Sequence, residues 1–255
     1  MAQQKKYEFV PGDEKVVAPG RTVKRIRALA ALGVAPGELG GYIESEGNLQ
    51  QVSGDAWVSG DAWVYGNARV SGDALVSGNA QVYGNAQVYG DAWVYGDAWV
   101  YGDAWVYGDA RVSGDARVSG DALVYGNAQV YGNAQVYGDA LVYGNALVYG
   151  DALVSGDARV YGDAQVSGDA RVYGNARVES QTDWLLVGPA KSSGRFTTAY
   201  RDTKIGVRVS CGCFTGTAQE FSAQIEATHA GNQQHLQQYR LFCQLIAFSF
   251  DIQPA

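Results

Sequence analysis

Two cysteines and two histidines near the C-terminal end are the side chains in this sequence best suited to chemistry: Cys211, Cys213, His229 and His235. Two thiolates and two imidazoles form a suitable ligand set for a zinc ion. The spacing Cys-Gly-Cys differs from the common Cys-x-x-Cys, however, and two cysteines at this spacing on a strand point to the same side. A cysteine nucleophile activated by His229 is the catalytic alternative. The structural alternative is a buried thiol pair beside a histidine at a helix end.

The elements around these residues predict a small α+β domain over 181–255. Three apolar segments predict strands at 184–187, 196–200 and 205–210. Thr217 and Glu220 have the spacing of a capping box, which predicts that a helix begins there. A second helix is predicted from about Gln233, with an apolar stripe formed by Leu236, Tyr239, Cys243 and Ile246.

A six-residue repeat dominates the rest of the chain. From Gly54 to Val178 the unit Gly-[Asp/Asn]-Ala-x-Val-[Tyr/Ser] occurs in twenty-one consecutive copies without insertion or deletion. Alanine and valine alternate with outward residues, which is strand periodicity, and a glycine at every sixth position excludes a helix. Glycine followed by Asp or Asn is typical of a corner. Each unit is therefore expected to be a short strand and a turn in a solenoid.

Taken from its valine, as Val-[Tyr/Ser]-Gly-[Asp/Asn]-Ala-x, the unit resembles the hexapeptide repeat of left-handed parallel β-helix proteins, with Val58 as the aliphatic residue and Ala62 as the small one. This resemblance implies a mainly β fold with three units in each triangular coil, so that position n lies over n+18. Twenty-one units then give about seven coils, and a rod about 34 Å long at ~4.8 Å per coil.

Both ends of the rod are expected to carry caps. The prediction is an N-terminal β cap over 1–47, the β-helix over 48–180 and the α+β domain over 181–255. The C-terminal sequence Val-Arg-Val-Ser-Cys-Gly-Cys-Phe at 207–214, with Gly216, Phe221 and Thr228-His229, resembles C-terminal modules of hexapeptide-repeat proteins encoded in bacterial prophages. That likeness implies a phage or prophage type and assigns no activity.

The outward positions predict columns of aromatic side chains at intervals of eighteen residues. One column is formed by Tyr89, Tyr107, Tyr125, Tyr143 and Tyr161. Trp93, Trp99 and Trp105 occupy the other outward position and fall on three different faces, which weakens a carbohydrate platform as an interpretation. Exposed aromatic area on this scale indicates a contact surface. The alternative is that stacked rings only stabilise neighbouring coils.

Charge and composition exclude several classes of function. The net charge is -7, and the repeats hold fourteen Asp and six Arg, so direct binding to nucleic acid phosphates is not expected. Aspartate columns such as Asp55, Asp73, Asp91 and Asp109 either bind cations or are solvated turn residues. No signal peptide or membrane-spanning segment is visible, and three cysteines do not indicate a secreted disulfide framework. A cytoplasmic protein without a cofactor is expected.

The family that the repeat resembles includes acyltransferases and zinc-dependent carbonic anhydrases. Their active sites lie between subunits of a trimer and use histidines on the coils. The repeats here contain no histidine and no protruding loop. We therefore expect a non-enzymatic scaffold that binds a protein partner or itself, as a dimer or trimer. A polyanion mimic that inhibits a host protein is one version of this function. An acyltransferase-like enzyme with a site at a trimer interface is the alternative.

Overall fold

A computed structural model describes residues 5–29, 34–51 and 53–253. The chain forms an antiparallel N-terminal hairpin, a three-sided parallel β-solenoid, and a four-stranded antiparallel sheet followed by two helices. This mainly β architecture is the predicted one.

The N-terminal cap consists of β1 (Tyr7–Ala18), β2 (Arg21–Ala28) and β3 (Leu39–Ile43). Strand β1 runs through an irregularity between Phe9 and Glu14 without ending its antiparallel pairing with β2. Strand β3 pairs antiparallel with β2 and parallel with the rod strand that contains Trp63. The cap is therefore continuous with one face of the rod.

Three parallel sheets form the rod. The first face contains β3, then β5 (Trp63–Val64), β8 (Gln81–Val82), β11 (Trp99–Val100), β14 (Arg117–Val118), β17 (Gln135–Tyr137), β20 (Leu153–Ser155) and β23 (Arg171–Val172). The second face contains β4 (Trp57–Val58), β7 (Leu75–Val76), β10 (Trp93–Val94), β13 (Arg111–Val112), β16 (Gln129–Val130), β19 (Leu147–Val148) and β22 (Gln165–Val166). The third face contains β6 (Arg69–Val70), β9 (Gln87–Gly90), β12 (Trp105–Gly108), β15 (Leu123–Val124), β18 (Leu141–Val142), β21 (Arg159–Val160) and β24 (Arg177–Val178).

The strand register confirms the coil of eighteen residues. Val94 pairs with Val76 on one side and with Val112 on the other, and the same interval recurs on every face. The rod has about eight windings rather than the predicted seven. The additional winding comes from Ile43, which pairs with Val64, and from Leu49, which bridges to Val70. Both side chains are fully buried, although neither belongs to the six-residue repeat.

The alternation of the repeat explains why this winding is stable. The alanine and valine side chains of every described unit are buried and form one continuous core. Backbone N–H groups donate to carbonyls of the next winding at 2.8–3.0 Å, as from Tyr125 to Val142. The corners require glycine: Gly126 has a φ of +68°, and a Cβ there would lie 3.2 Å from the backbone nitrogen of Gly144.

The C-terminal domain contains β25 (Trp184–Val187), β26 (Thr197–Asp202), β27 (Gly206–Cys211), β28 (Phe214–Thr217), α1 (Ala218–His229) and α2 (Gln233–Phe250). The sequence predicted three of these four strands. It missed β28 because this short edge strand contains a glycine and runs directly into the helix cap. The capping box is confirmed, since the Glu220 N–H donates to Thr217 Oγ1 at 3.1 Å and the Thr217 N–H donates to Glu220 Oε2 at 2.8 Å.

Strand β26 covers the last winding of the rod. The Tyr173 N–H donates to the Tyr200 hydroxyl at 3.2 Å, and the Arg171 N–H donates to Thr198 Oγ1 at 3.0 Å. Tyr200 is fully buried and belongs to the same core as the rod. Donors that would otherwise stay open at the sheet edge are thus satisfied. In the described part of the chain, no helix is long and apolar enough to cross a membrane.

Candidate interaction surface

The predicted tyrosine column is a continuous ladder of stacked rings on the third face. Successive ring centroids lie 4.9–5.0 Å apart and successive ring planes differ by 1–9°. The ladder contains Tyr89, Tyr107, Tyr125, Tyr143 and Tyr161. Each of the five side chains is half-buried. Two shorter ladders lie elsewhere, with Tyr65, Tyr83 and Tyr101 on the first face and Tyr131 and Tyr149 on the second.

In this ladder the faces of the tyrosine rings contact one another. Burial raises the pKa of the Tyr107 and Tyr125 hydroxyls, and the neighbouring tyrosines raise it further. Because neighbouring rings cover these faces, a partner could contact the ladder mainly at its ring edges. The structural alternative for this column, that the rings stabilise adjacent windings, has direct geometric support.

An apolar strip lies beside the middle of the ladder. We call it the third-face strip, and it consists of Trp105, Leu123, Leu141, Tyr107, Tyr125 and Tyr143. Trp105 is 39 % exposed and meets the Tyr89 ring edge-on at 6.2 Å. Leu123 and Leu141 are half-buried at the same strand position in the next two windings. The strip is therefore a continuous apolar surface on a parallel sheet.

The other two predicted tryptophans lie on the remaining faces. Trp93 is 43 % exposed on the second face, with the Arg111 guanidinium 5.2 Å from its ring. Trp99, on the first face, lies against Tyr83 and Arg117. The three tryptophans therefore form no common platform. Trp57 has an outward position in the repeat but is buried, because Gly40 and Ile26 of the cap lie over that end of the rod.

The acidic corners carry side-chain hydrogen bonds from winding to winding. Where Asn precedes Asp in a column, its amide donates to the carboxylate eighteen residues later, as from Asn85 to Asp103 at 2.9 Å and from Asn145 to Asp163 at 3.0 Å. Within the described ranges, no three His, Cys, Asp or Glu side chains are grouped so as to hold a metal ion. The corner side chains therefore connect neighbouring windings through hydrogen bonds where Asn and Asp alternate.

The predicted metal ligands are only partly brought together. Cys211, Cys213 and His229 line one cavity of about 510 Å³ in the C-terminal domain, and His235 does not. The His229 ring stacks on Tyr239 at 5.0 Å and meets the His235 ring edge-on at 5.9 Å. All three cysteines are free thiols. Among the described residues these four side chains do not form a group that could hold a metal ion.

The C-terminal helix α2 exposes an apolar surface that sequence reasoning missed. We call it the helix stripe: Leu241 is 58 % exposed, Leu245 44 % and Phe248 83 %. Their spacing of four and three residues places them on one side of the helix. The opposite side, with Tyr239 and Ile246, is buried against the domain core. The i, i+4, i+7 spacing of these three residues could have indicated a second apolar side of the helix. The sequence analysis assigned the apolar side to the stripe with Tyr239 and Ile246, which has similar residue types.

Comparison with known proteins supports a repeat β-solenoid. Residues 51–102 and 116–180 match the YdcK Beta solenoid repeat family in a series of overlapping segments. The matched segments lie in the parallel sheets of the rod and end before the C-terminal sheet. No curated protein was found to match the chain.

Proposed function

We propose that this protein is a non-enzymatic β-solenoid scaffold that associates with a second copy through its C-terminal helix and presents its rod to a protein partner. The helix stripe is the observation that carries the proposal. Three large apolar side chains at 241, 245 and 248 are exposed on one side of a helix of 18 residues. Exposed apolar area of this kind is characteristic of protein–protein interfaces.

The third-face strip is the second contact surface in this proposal. It is apolar at its centre, and Gln87 and Arg159 bound it at its two ends. An apolar centre with a polar rim is the usual anatomy of a protein interface. Because the ladder rings are already ordered by stacking, binding here would immobilise few additional side chains.

A scaffold fits the chemistry of the rod better than an enzyme. The repeats contain no histidine, and their near-identical units offer no unique titratable group for acid–base work. The phage or prophage type, the inhibition of a host protein and the cytoplasmic location are finer parts of the same proposal. They rest on the C-terminal sequence likeness, the acidic repeats and the odd number of cysteines.

Light scattering on helix variants tests the self-association. Leu245→Lys is expected to convert a dimer or trimer to monomer, since it places a charge in the helix stripe. Gln233→Lys makes the same charge change at an exposed position of α2 about two turns before Leu241, outside the helix stripe, and is expected to leave the assembly intact. A monomeric wild-type chain at high micromolar concentration would exclude association through this helix.

Three lysine substitutions test which face of the rod binds a partner. Leu141, Leu147 and Leu153 occupy equivalent positions in consecutive units and lie on the third, second and first faces. In affinity capture from the native host, Leu141→Lys is expected to lose the partner while Leu147→Lys and Leu153→Lys retain it. Equal capture by all three variants would show that the strip makes no contact. Capture that weakens steeply with salt would support the polyanion-mimic version.

A further inference from the structure

We infer that the cavity of the C-terminal domain binds a small carboxylate with an apolar body. The residues that carry this inference are Ser193, Arg195, Phe214, Phe221, Ile225 and His229, and we call the cavity they line the C-terminal pocket. Its volume of about 510 Å³ lies within the range of small-molecule sites. The inference is independent of the helix stripe and of the third-face strip.

The inner wall of the C-terminal pocket is apolar. Phe221 and Ile225 are buried, and the Phe214 and Phe221 rings lie 5.3 Å apart at a tilted angle. These side chains come from strand β28 and helix α1, which the Thr217 capping box joins rigidly. A hydrocarbon chain or an aromatic ring is the complementary ligand group for this wall.

The rim of the pocket carries Arg195, an exposed cation. Arg195 makes no salt bridge with any described carboxylate, although the protein as a whole is acidic. Its guanidinium lies against the turn at Gly212, where a Cβ would come within 2.7 Å of the Arg195 Nη1 atom. Gly212 has a φ of +61°. Glycine at position 212 therefore permits both the positive φ of this turn and the close approach of the Arg195 guanidinium.

Polar groups beside this cation complete the site. The Ser193 hydroxyl lies 3.3 Å from the Tyr239 hydroxyl, and the Ser192 hydroxyl in the same wall is buried with no hydrogen-bond partner among the described residues. His229 lies in the last turn of α1. Arg195 also lines an adjoining groove together with Arg171 and Asp169. A carboxylate is favoured over a neutral group because guanidinium and carboxylate form charge-assisted hydrogen bonds.

Titration calorimetry with octanoate and 1-octanol tests the inference, because the two probes share an apolar chain and differ in charge. Octanoate is expected to bind at least about tenfold more tightly than octanol. Arg195→Gln should abolish that preference. Lys191→Gln, an exposed change in the same loop outside the pocket lining, should preserve it. Equal binding of the two probes, or no binding of octanoate at millimolar concentration, would overturn the inference.

Thiol labelling locates the bound probe. Cys213 is exposed and lines the pocket, so octanoate is expected to slow its modification by a disulfide reagent several-fold. Cys243 is outside the lining, and burial raises the pKa of its thiol to about 11, so it should react slowly with or without octanoate. Mass spectrometry of the labelled peptides distinguishes the two sites. Octanoate binding that leaves the Cys213 rate unchanged would place the probe elsewhere and refute the site.

Discussion

The rings of Tyr107 and Tyr125 lie 4.9 Å apart, with planes that differ by 3°, although eighteen residues of chain separate them. This distance is about the spacing between adjacent strands of a sheet. The ring stacking is therefore a direct result of the backbone pairing on the third face. It extends over five tyrosines and links the windings on the outside of the rod, as alanine and valine do on the inside.

Removal of one ring from the ladder should lower stability more than removal of an isolated ring. Tyr125→Ala loses stacking with both Tyr107 and Tyr143, at about 0.5–1.5 kcal/mol for each pair. Tyr137 is the matched control, since Ser119 and Ser155 occupy the adjacent windings of its column. Urea denaturation followed by circular dichroism should show a larger drop in midpoint for Tyr125→Ala. Equal drops would show that the stacking adds no stability.

Asparagine within a run of stacked aspartates should stabilise the rod. Asp121 lies between Asp103 and Asp139, and Asp121→Asn removes like-charge repulsion and adds an amide that can donate to Asp139. We expect a gain of about 0.5–1 kcal/mol that shrinks as salt is added.

The reverse change supplies the control for this column prediction. Asn145→Asp loses the hydrogen bond to Asp163 and places two carboxylates side by side, so it should destabilise by a similar amount. Urea midpoints at low and high salt measure both variants. If the urea midpoint moved in the same direction for both variants, hydrogen bonding and charge repulsion along the corner column could not be the cause.

Alanine at a corner glycine should destabilise the rod through two separate effects. Gly126→Ala forces a positive φ on a residue with a Cβ, at about 1–2 kcal/mol, and brings that Cβ against the backbone of Gly144. Gly206 has a φ of +79° with nothing within 4 Å of its ideal Cβ position, so Gly206→Ala should show the first effect alone. Denaturation midpoints should therefore fall further for Gly126→Ala. An equal fall would mean that the close approach between windings costs nothing.

Acid should weaken the C-terminal domain through Asp202. Burial favours a higher pKa for this carboxyl, but hydrogen bonds from Arg208 and from the Lys204 and Ile205 N–H groups outweigh it and hold the pKa below its usual value. Because the pKa of Asp202 is lower in the folded state than in the unfolded state, its ionised form stabilises the fold. This contribution is complete above the unfolded pKa of about 3.9 and is lost as the pH falls below that value.

Asp202→Asn should therefore reduce stability at pH 7 and flatten its dependence on pH below about 4. Urea denaturation at a series of pH values, followed by circular dichroism, measures both effects. Asp169→Asn, at an exposed corner, is the control and should leave the acid dependence near that of the wild type. An Asp202→Asn profile parallel to the wild-type profile would exclude the proposed linkage.

The repeat allowed most of the rod to be predicted, because one pattern sets strand, corner and core residue in every unit. The additional winding was missed for a definite reason. Ile43 and Leu49 pair with residues twenty-one positions later, and the segment around them lacks the repeat motif. The tyrosine column was predicted residue by residue, with stacking between coils as one of two interpretations, and the sequence alone did not decide between stacking and a contact surface.

The C-terminal surfaces show where prediction from sequence ends. Arg195 and Cys213 come together only because the strands fold back on one another, and no local pattern records that proximity. The helix stripe was harder to recognise for another reason. Helix α2 carries apolar side chains on both sides, and only the packed structure shows that Phe248 faces solvent while Phe250 is buried.

The interval of three units in each winding restricts how such a chain can evolve in length. Gain or loss of three units, eighteen residues, leaves every downstream side chain on its original face. Gain of a single unit would turn all downstream residues by one third of a revolution, so that Leu141 would exchange its neighbours for those of an adjacent face. Duplications in this lineage should therefore be tolerated in steps of eighteen residues and selected against at six or twelve.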